Sequence, residues 1–366
     1  MSYVIVTGGR EAIRQAEALM RYYRVKDSAE GFDYRLINKN LRLLVDRMMS
    51  EGGLYAPEYA ALALKQAEGD PYEATFLLRC YRSTLERNCC TLTLNTEGMR
   101  IVRRISAVYK DISGGQVLGP TRDYTHHLLD FSLREENVEK ISAFTKEFLG
   151  SPAFEEVPEA FGKVTVKMRE EGLISTPAVT EEEEPFDITR QNMPIPAPRS
   201  AHLQALSRGE TGVLTALAYS YVRGFGANTH PMIAELRVGY VPIFLPHPFD
   251  EDGIYIGEML LTEVEMVNTI EKNKICKQQA LFSLGYGLCF GHNEQKAISM
   301  AILEHCLERP GKSPAEDEEF VLKHIDSLDA GGIINHYNLP HYVSFNSTVD
   351  RMQQISKAIK KEKKDT

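Results

Sequence analysis

The sequence predicts an α+β fold: a helix-rich N-terminal half, a mixed strand and helix C-terminal half, and a proline-rich acidic stretch between them. The two halves either share one large core or form two lobes. A chain of 366 residues that is 43% hydrophobic is long and apolar enough for either arrangement.

The elements follow in order. Tyr3 to Val6 reads as a first strand, and the rest of 1–150 is mainly helical. Asp70 caps a helix with Pro71 at its first position and Glu73 at its third; Ala74, Leu77, Leu78, Tyr81 and Leu85 form its inner stripe. From 151 to 199, seven prolines surround the run Glu181 to Glu184, a composition that buries little and reads as a linker or surface excursion. The mixed lobe spans 200–346. Within it Ala234, Leu236, Val238 and Tyr240 alternate with Glu235, Arg237 and Gly239 as a half-buried strand. Asn293 precedes a helix bearing Ala297, Ile298, Ala301, Ile302 and His305. Ser313, Pro314 and Glu316 form a capping box for a helix carrying Phe320, Val321, His324, Ile325 and Leu328, which Gly331-Gly332 should end, with His324 in the core. Beyond Pro340, His341, Val343 and Phe345 alternate as a short strand, and 347–366 is a charged tail.

Composition narrows function by exclusion. A net charge of −9 argues against duplex nucleic acid as the main partner, since that binding neutralises many phosphates. No apolar run approaches the roughly 20 residues of a membrane helix, and the N-terminus lacks a signal-peptide design, so a cytoplasmic protein is expected. The six cysteines contain no C-x-x-C and no iron–sulfur cluster pattern, and read as reduced thiols. Gly311-Lys312-Ser313 imitates the end of a P-loop, but Cys306 stands where the first glycine belongs, and Gly8-Gly9 lacks G-x-G-x-x-G spacing.

Three places carry candidate chemistry. Between Arg103 and Leu133, Gly114 and Gly115 free the backbone to turn and present amides, while Arg103, Arg104, Lys110 and Arg122 supply positive charge and Asp111, Asp123 and His126 lie among them. Either this is a phosphate site or it is a turn-rich connection whose charges face water. Glu263 and Glu265 share one face of an apolar strand with Val267; in a cleft, burial and mutual repulsion would make them an acid and base pair, and at a sheet edge they would be solvated. His336 and His341 flank a proline on non-helical backbone, as two zinc ligands or as hydrogen-bonded structural histidines.

Ala61 to Ala67, Arg103 to Leu133, Leu217 to Ser220, Gly257 to Asn268, Gly285-Tyr-Gly287 and Asp317 through Phe345 together resemble the PhnI family, a core subunit of the bacterial carbon–phosphorus lyase complex. The resemblance implies an enzyme that cleaves the N-glycosidic bond of ATP or GTP. With its sister subunits, it implies displacement of adenine by an alkylphosphonate to give α-D-ribose 1-methylphosphonate 5-triphosphate. It further implies Zn²⁺ on the histidines matching His336 and His341, near the contact with the iron–sulfur radical subunit. Under that resemblance, Glu263, Glu265, Asp111 and Asp123 are the candidate catalytic carboxylates; Arg103, Arg104, Lys110, Gly114, Gly115, Arg122 and His126 are the candidate substrate-binding residues. The alternative within the same resemblance is a non-catalytic scaffold that completes a zinc site at that interface.

Overall fold

The computed structural model describes residues 9–27, 31–150, 161–174, 184–223, 231–269, 281–308, 311–339 and 342–362. The chain forms two compact units: Met1–Phe32 with Asp326–Thr366, and Asp33–Ile325. The strand expected at Tyr3 to Val6 lies outside the described residues. The first unit begins with helix α1 (Arg10–Val25), which buries no residue.

In the second unit, α2 (Tyr34–Asn40), α3 (Arg42–Gly52), α4 (Pro57–Gln66) and α5 (Pro71–Ser83) enclose a small core of Met48, Met49, Leu64 and Leu78. Asp70 caps α5 as expected, accepting from the Tyr72 and Glu73 amides. The inner stripe is narrower than its pattern: Ala74 and Leu78 are buried, whereas Tyr81 and Leu85 reach solvent.

Strand β1 (Arg100–Ile105) comes next, then α6 (Val138–Leu149), α7 (Val164–Glu170), α8 (Arg199–Arg208) and α9 (Thr211–Arg223). The strands β2 (Met232–His247), β3 (Asp250–Thr269) and β4 (Phe282–Phe290) lead to α10 (Glu294–Leu307) and α11 (Glu318–His324). The sheet has the order β1-β2-β3-β4 and every neighbouring pair is antiparallel. The fold is therefore α+β, with the helices gathered around one sheet rather than alternating with its strands.

Helices α8, α9 and α10 cover one face of that sheet, around Leu206, Leu214, Leu236, Val264 and Met300. Gly285 and Gly287 on β4 allow the close approach of α10, because a Cβ at either would lie 2.2 or 2.1 Å from the backbone oxygens of Ala301 or Ala297. The opposite face is also covered. Val164, Met168 and Ile174 pack there against Ala234 and Val267, so part of the stretch expected to bury little is core.

This two-sided cover corrects the reading of β2 as half-buried. Residues 234–239 are all buried, and a bulge between Ile233 and Glu235 turns Ala234 toward α7 while Leu236 and Val238 face α10. Ser313 and Glu316 do form a capping box, around a single 3₁₀ turn, Pro314–Glu316, ahead of α11. His324 is exposed rather than in the core, stacked on Phe320 with ring centroids 4.4 Å apart.

The first unit resumes with α12 (Ser327–His336) and α13 (Tyr342–Glu362). Gly331 and Gly332 lie inside α12 and do not end it. Asp326 caps the helix start by accepting from the Leu328 amide, and interior glycine costs only about 1 kcal/mol relative to alanine. Of the short strand expected over His341 to Phe345, the part from Tyr342 on is the start of α13, and His341 lies outside the described residues. Phe345, Val349, Met352, Ile355 and Ile359 recur at helical spacing over a longer run than the three alternating residues, and a proline just before a helix costs it no hydrogen bond. Among the described residues, no helix is long and apolar enough to cross a membrane.

Candidate functional site

Strand β1 sends consecutive arginines to opposite faces of the sheet, as the pleat requires. Arg103 faces α10. It reaches Asp123 Oδ2 at 2.5 Å and the Leu118 carbonyl at 2.5 Å, and its Nε lies 2.9 Å from Glu294. Arg104 faces the other way, donating to Glu235 Oε1 at 2.5 Å, to the Ser113 carbonyl at 2.5 Å and to the Gly162 carbonyl at 2.9 Å.

On the Arg103 side lies a cavity of about 730 Å³, within the size range of small-molecule sites. Five cationic side chains line it, Arg42, Arg47, Arg103, Arg122 and Lys296, against two carboxylates, Asp123 and Glu294. The first turn of α10 forms part of its wall, and Asn293 makes no side-chain cap to the amides there. Backbone amides and helix dipole thus add to the positive side chains. His292 links the parts: its Nε2 is 2.5 Å from Glu294 Oε1, its Nδ1 is 3.2 Å from Arg42, and its amide donates to Asp46 Oδ2 at 3.0 Å. Lys296 is fully buried and donates to Ser50 Oγ at 2.8 Å; burial pulls its ammonium down to about 8, with Glu51 opposing. A second cavity of about 390 Å³ shares Arg42, Pro120 and His292 with the first.

Glu263 and Glu265 are both buried, on the Arg104 face, and line neither cavity. Glu263 accepts from Lys163 at 2.7 Å, Thr96 at 2.8 Å and Tyr286 at 2.9 Å, and Arg237 lies 3.3 Å away. Glu265 accepts from Thr165 at 2.6 Å. Burial alone would raise both carboxyls. Lys163 and Arg237 outweigh it at Glu263, which sits below its usual range, whereas at Glu265 burial prevails and the carboxyl is raised. The environments of the pair therefore diverge as an acid and base pair requires, within a network closed by its own partners.

The remaining expected residues are spread along the segment after β1. Lys110, Asp111 and His126 are exposed and line neither cavity. Gly114 and Gly115 have φ of +79° and +76° and close a turn in which the Gly115 amide donates to Ile112. A Cβ on Gly114 would lie 1.8 Å from the Phe161 ring, so packing demands that glycine. His336 ends α12 in the other compact unit, and His341 lies outside the described residues. Among the described residues no group of three or more His, Cys, Asp or Glu is placed to hold a metal ion. His336 therefore needs His341 and further donors before a zinc set exists.

Of the expected residues, the cavity gathers Arg103, Arg122 and Asp123. Sequence reasoning missed Arg42, Arg47, His292, Glu294 and Lys296. The signal for three of these was the junction Gly291-His292-Asn293-Glu294, where a strand turns directly into a helix, the usual setting for an anion site. Arg42 and Arg47 carry no comparable signal, because only the tertiary fold brings α3 beside β1 and α10.

A family model described as bacterial phosphonate metabolism protein (PhnI) matches residues 2–359. A putative C-P lyase subunit protein, HtxH, of Stutzerimonas stutzeri is 48% identical over 359 residues, covering 96% of this chain and 95% of that protein. The α-D-ribose 1-methylphosphonate 5-triphosphate synthase subunits PhnI of Escherichia coli and Rhizobium meliloti are 43% and 40% identical, each over 96% of this chain and over 98% and 94% of their own lengths. With a family match over nearly its whole length and three such relatives, the chain belongs to the PhnI family of bacterial phosphonate metabolism proteins.

Proposed function

We propose that this chain is a subunit of an α-D-ribose 1-methylphosphonate 5-triphosphate synthase and binds the triphosphate of ATP or GTP in the 730 Å³ cavity. The observation that carries the reading is the convergence of Arg42, Arg103, Arg122 and Lys296 on the first turn of α10. A polyanion suits such a site, because arginine forks and helix amides both favour phosphate oxygens.

In the proposed reaction the bond between the ribose anomeric carbon and the purine nitrogen breaks, and the electron pair leaves with the base. Water supplies the incoming oxygen in the nucleosidase reaction; with sister subunits present, the alkylphosphonate supplies it. The sugar passes through an oxocarbenium-like state that a nearby carboxylate stabilises. Of the four carboxylates expected from sequence, Asp123 lines the cavity, and Glu294 joins it there. Glu263 and Glu265 hold the sheet that carries Arg103. Zinc on His336 and His341 rests on the family resemblance, since His336 is the last residue of a helix rather than on the non-helical backbone expected, and no step depends on it. Zinc content should fall when both are replaced by alanine.

The test is incubation of the purified chain with ATP and assay of free adenine. Release that falls at least about tenfold in Arg122→Ala supports the reading. No release from the chain alone, with release restored only by sister subunits, assigns it the scaffold role.

A further inference from the structure

The smaller cavity has a different chemistry from the larger. Its walls are Val45, Met49, Tyr55, Val238, Tyr240 and Leu260, an apolar and aromatic set. Tyr55 is held in place on two sides: its hydroxyl accepts from the Leu260 amide at 2.9 Å, and its ring meets Phe290 edge-on at 5.7 Å. Polar groups are few, namely Asn38 and Asp46 beside the shared Arg42 and His292. Asp46 is 7% exposed, and burial raises its carboxyl above the usual range against the His292 amide that opposes it. A carboxyl held there by the His292 amide can accept from an amino group on the edge of a base.

Resting on the triphosphate reading above, we propose that the 390 Å³ cavity is the purine subsite, with Asn38 and Asp46 reading the edge of the base and His292 standing where base and sugar meet. Geometry carries this. A nucleoside triphosphate needs a strongly basic compartment beside a mostly apolar one, and these two cavities are neighbours that share Arg42, Pro120 and His292. An apolar wall with a few fixed polar groups also explains how a base is chosen, since a buried hydrogen-bonding group left unpaired penalises the wrong one.

The experiment compares ATP with inorganic tripolyphosphate by calorimetry on the full chain. Two variants narrow the smaller cavity alone: Val45→Phe in its wall and Asn38→Trp, a half-buried position on α2. Each should weaken ATP at least about tenfold and leave tripolyphosphate affinity unchanged. The unchanged ligand also certifies that the variant is folded. ATP binding both variants as tightly as the parent overturns the purine subsite and leaves the triphosphate reading intact. Equal loss of both ligands in Asn38→Trp overturns it too, because the cavities would then not divide the nucleotide. Failure of the parent chain to bind tripolyphosphate and ATP alike sinks the triphosphate reading itself.

Discussion

Replacing Arg104 by methionine should destabilise the chain by about 3–5 kcal/mol in urea unfolding, because it strands the buried carboxylate of Glu235. Arg122→Ala, at an exposed position, should change stability by no more than about 0.5 kcal/mol while weakening nucleotide binding. A result in which Arg104→Met folds normally but loses ATP would reverse these assignments. Lys296 makes a separate prediction. Its folded pKa, about 8, lies below the ordinary 10.5, so between those values the unfolded chain holds more protons and stability rises with pH. Relative to Lys296→Met, the parent should gain on the order of 3 kcal/mol between pH 8 and 10.5 and nothing further above it. A constant difference across that window would show that the ammonium is not desolvated. At this scale the sequence marks charge but not its direction: Arg103 and Arg104 look interchangeable until the pleat separates them.

Among the elements, local signals were legible wherever a cap or a long period was present. Asp70 and α5, and Asn293 and α10, stand where the residues indicate; the Ser313–Glu316 box forms, but it closes a 3₁₀ turn, and α11 takes its cap from Asp317. The failures came from short patterns overruled by longer ones. Three alternating residues lost to helical spacing sustained over the 21 residues of α13, and a glycine pair was absorbed by the cap and length of α12. The half-buried pattern of β2 hid a strand covered on both faces, since Glu235 and Arg237 are polar yet paired inside the fold. The helix-to-sheet contact gives a test. Gly287→Ala should cost at least about 1–3 kcal/mol in urea, because the added methyl meets the Ala297 carbonyl rather than a movable side chain. An unchanged midpoint would mean that α10 does not sit so close to β4.

At the scale of the molecule, the sheet joins what sequence separates. β1 pairs with β2 across more than a hundred residues, so the stretch between them spans elements rather than dividing two independent halves. The cavity is built the same way, from the start of α3, from β1 and the loop after it, from Thr211 and β2, and from the start of α10. No local pattern announces a site assembled from places so far apart. The α+β class was legible because strand and helix patterns intermingle along the chain, and Arg103, Arg122 and Asp123 were legible because charge clusters around them. Their common destination required the fold.

The most direct measurement is a structure of the full chain with a non-hydrolysable ATP analogue. Triphosphate oxygens should lie against Arg42, Arg103, Arg122 and the first amides of α10, with the purine between Tyr55 and Tyr240. Density for the triphosphate elsewhere, with that basic cavity holding only solvent, would contradict that placement.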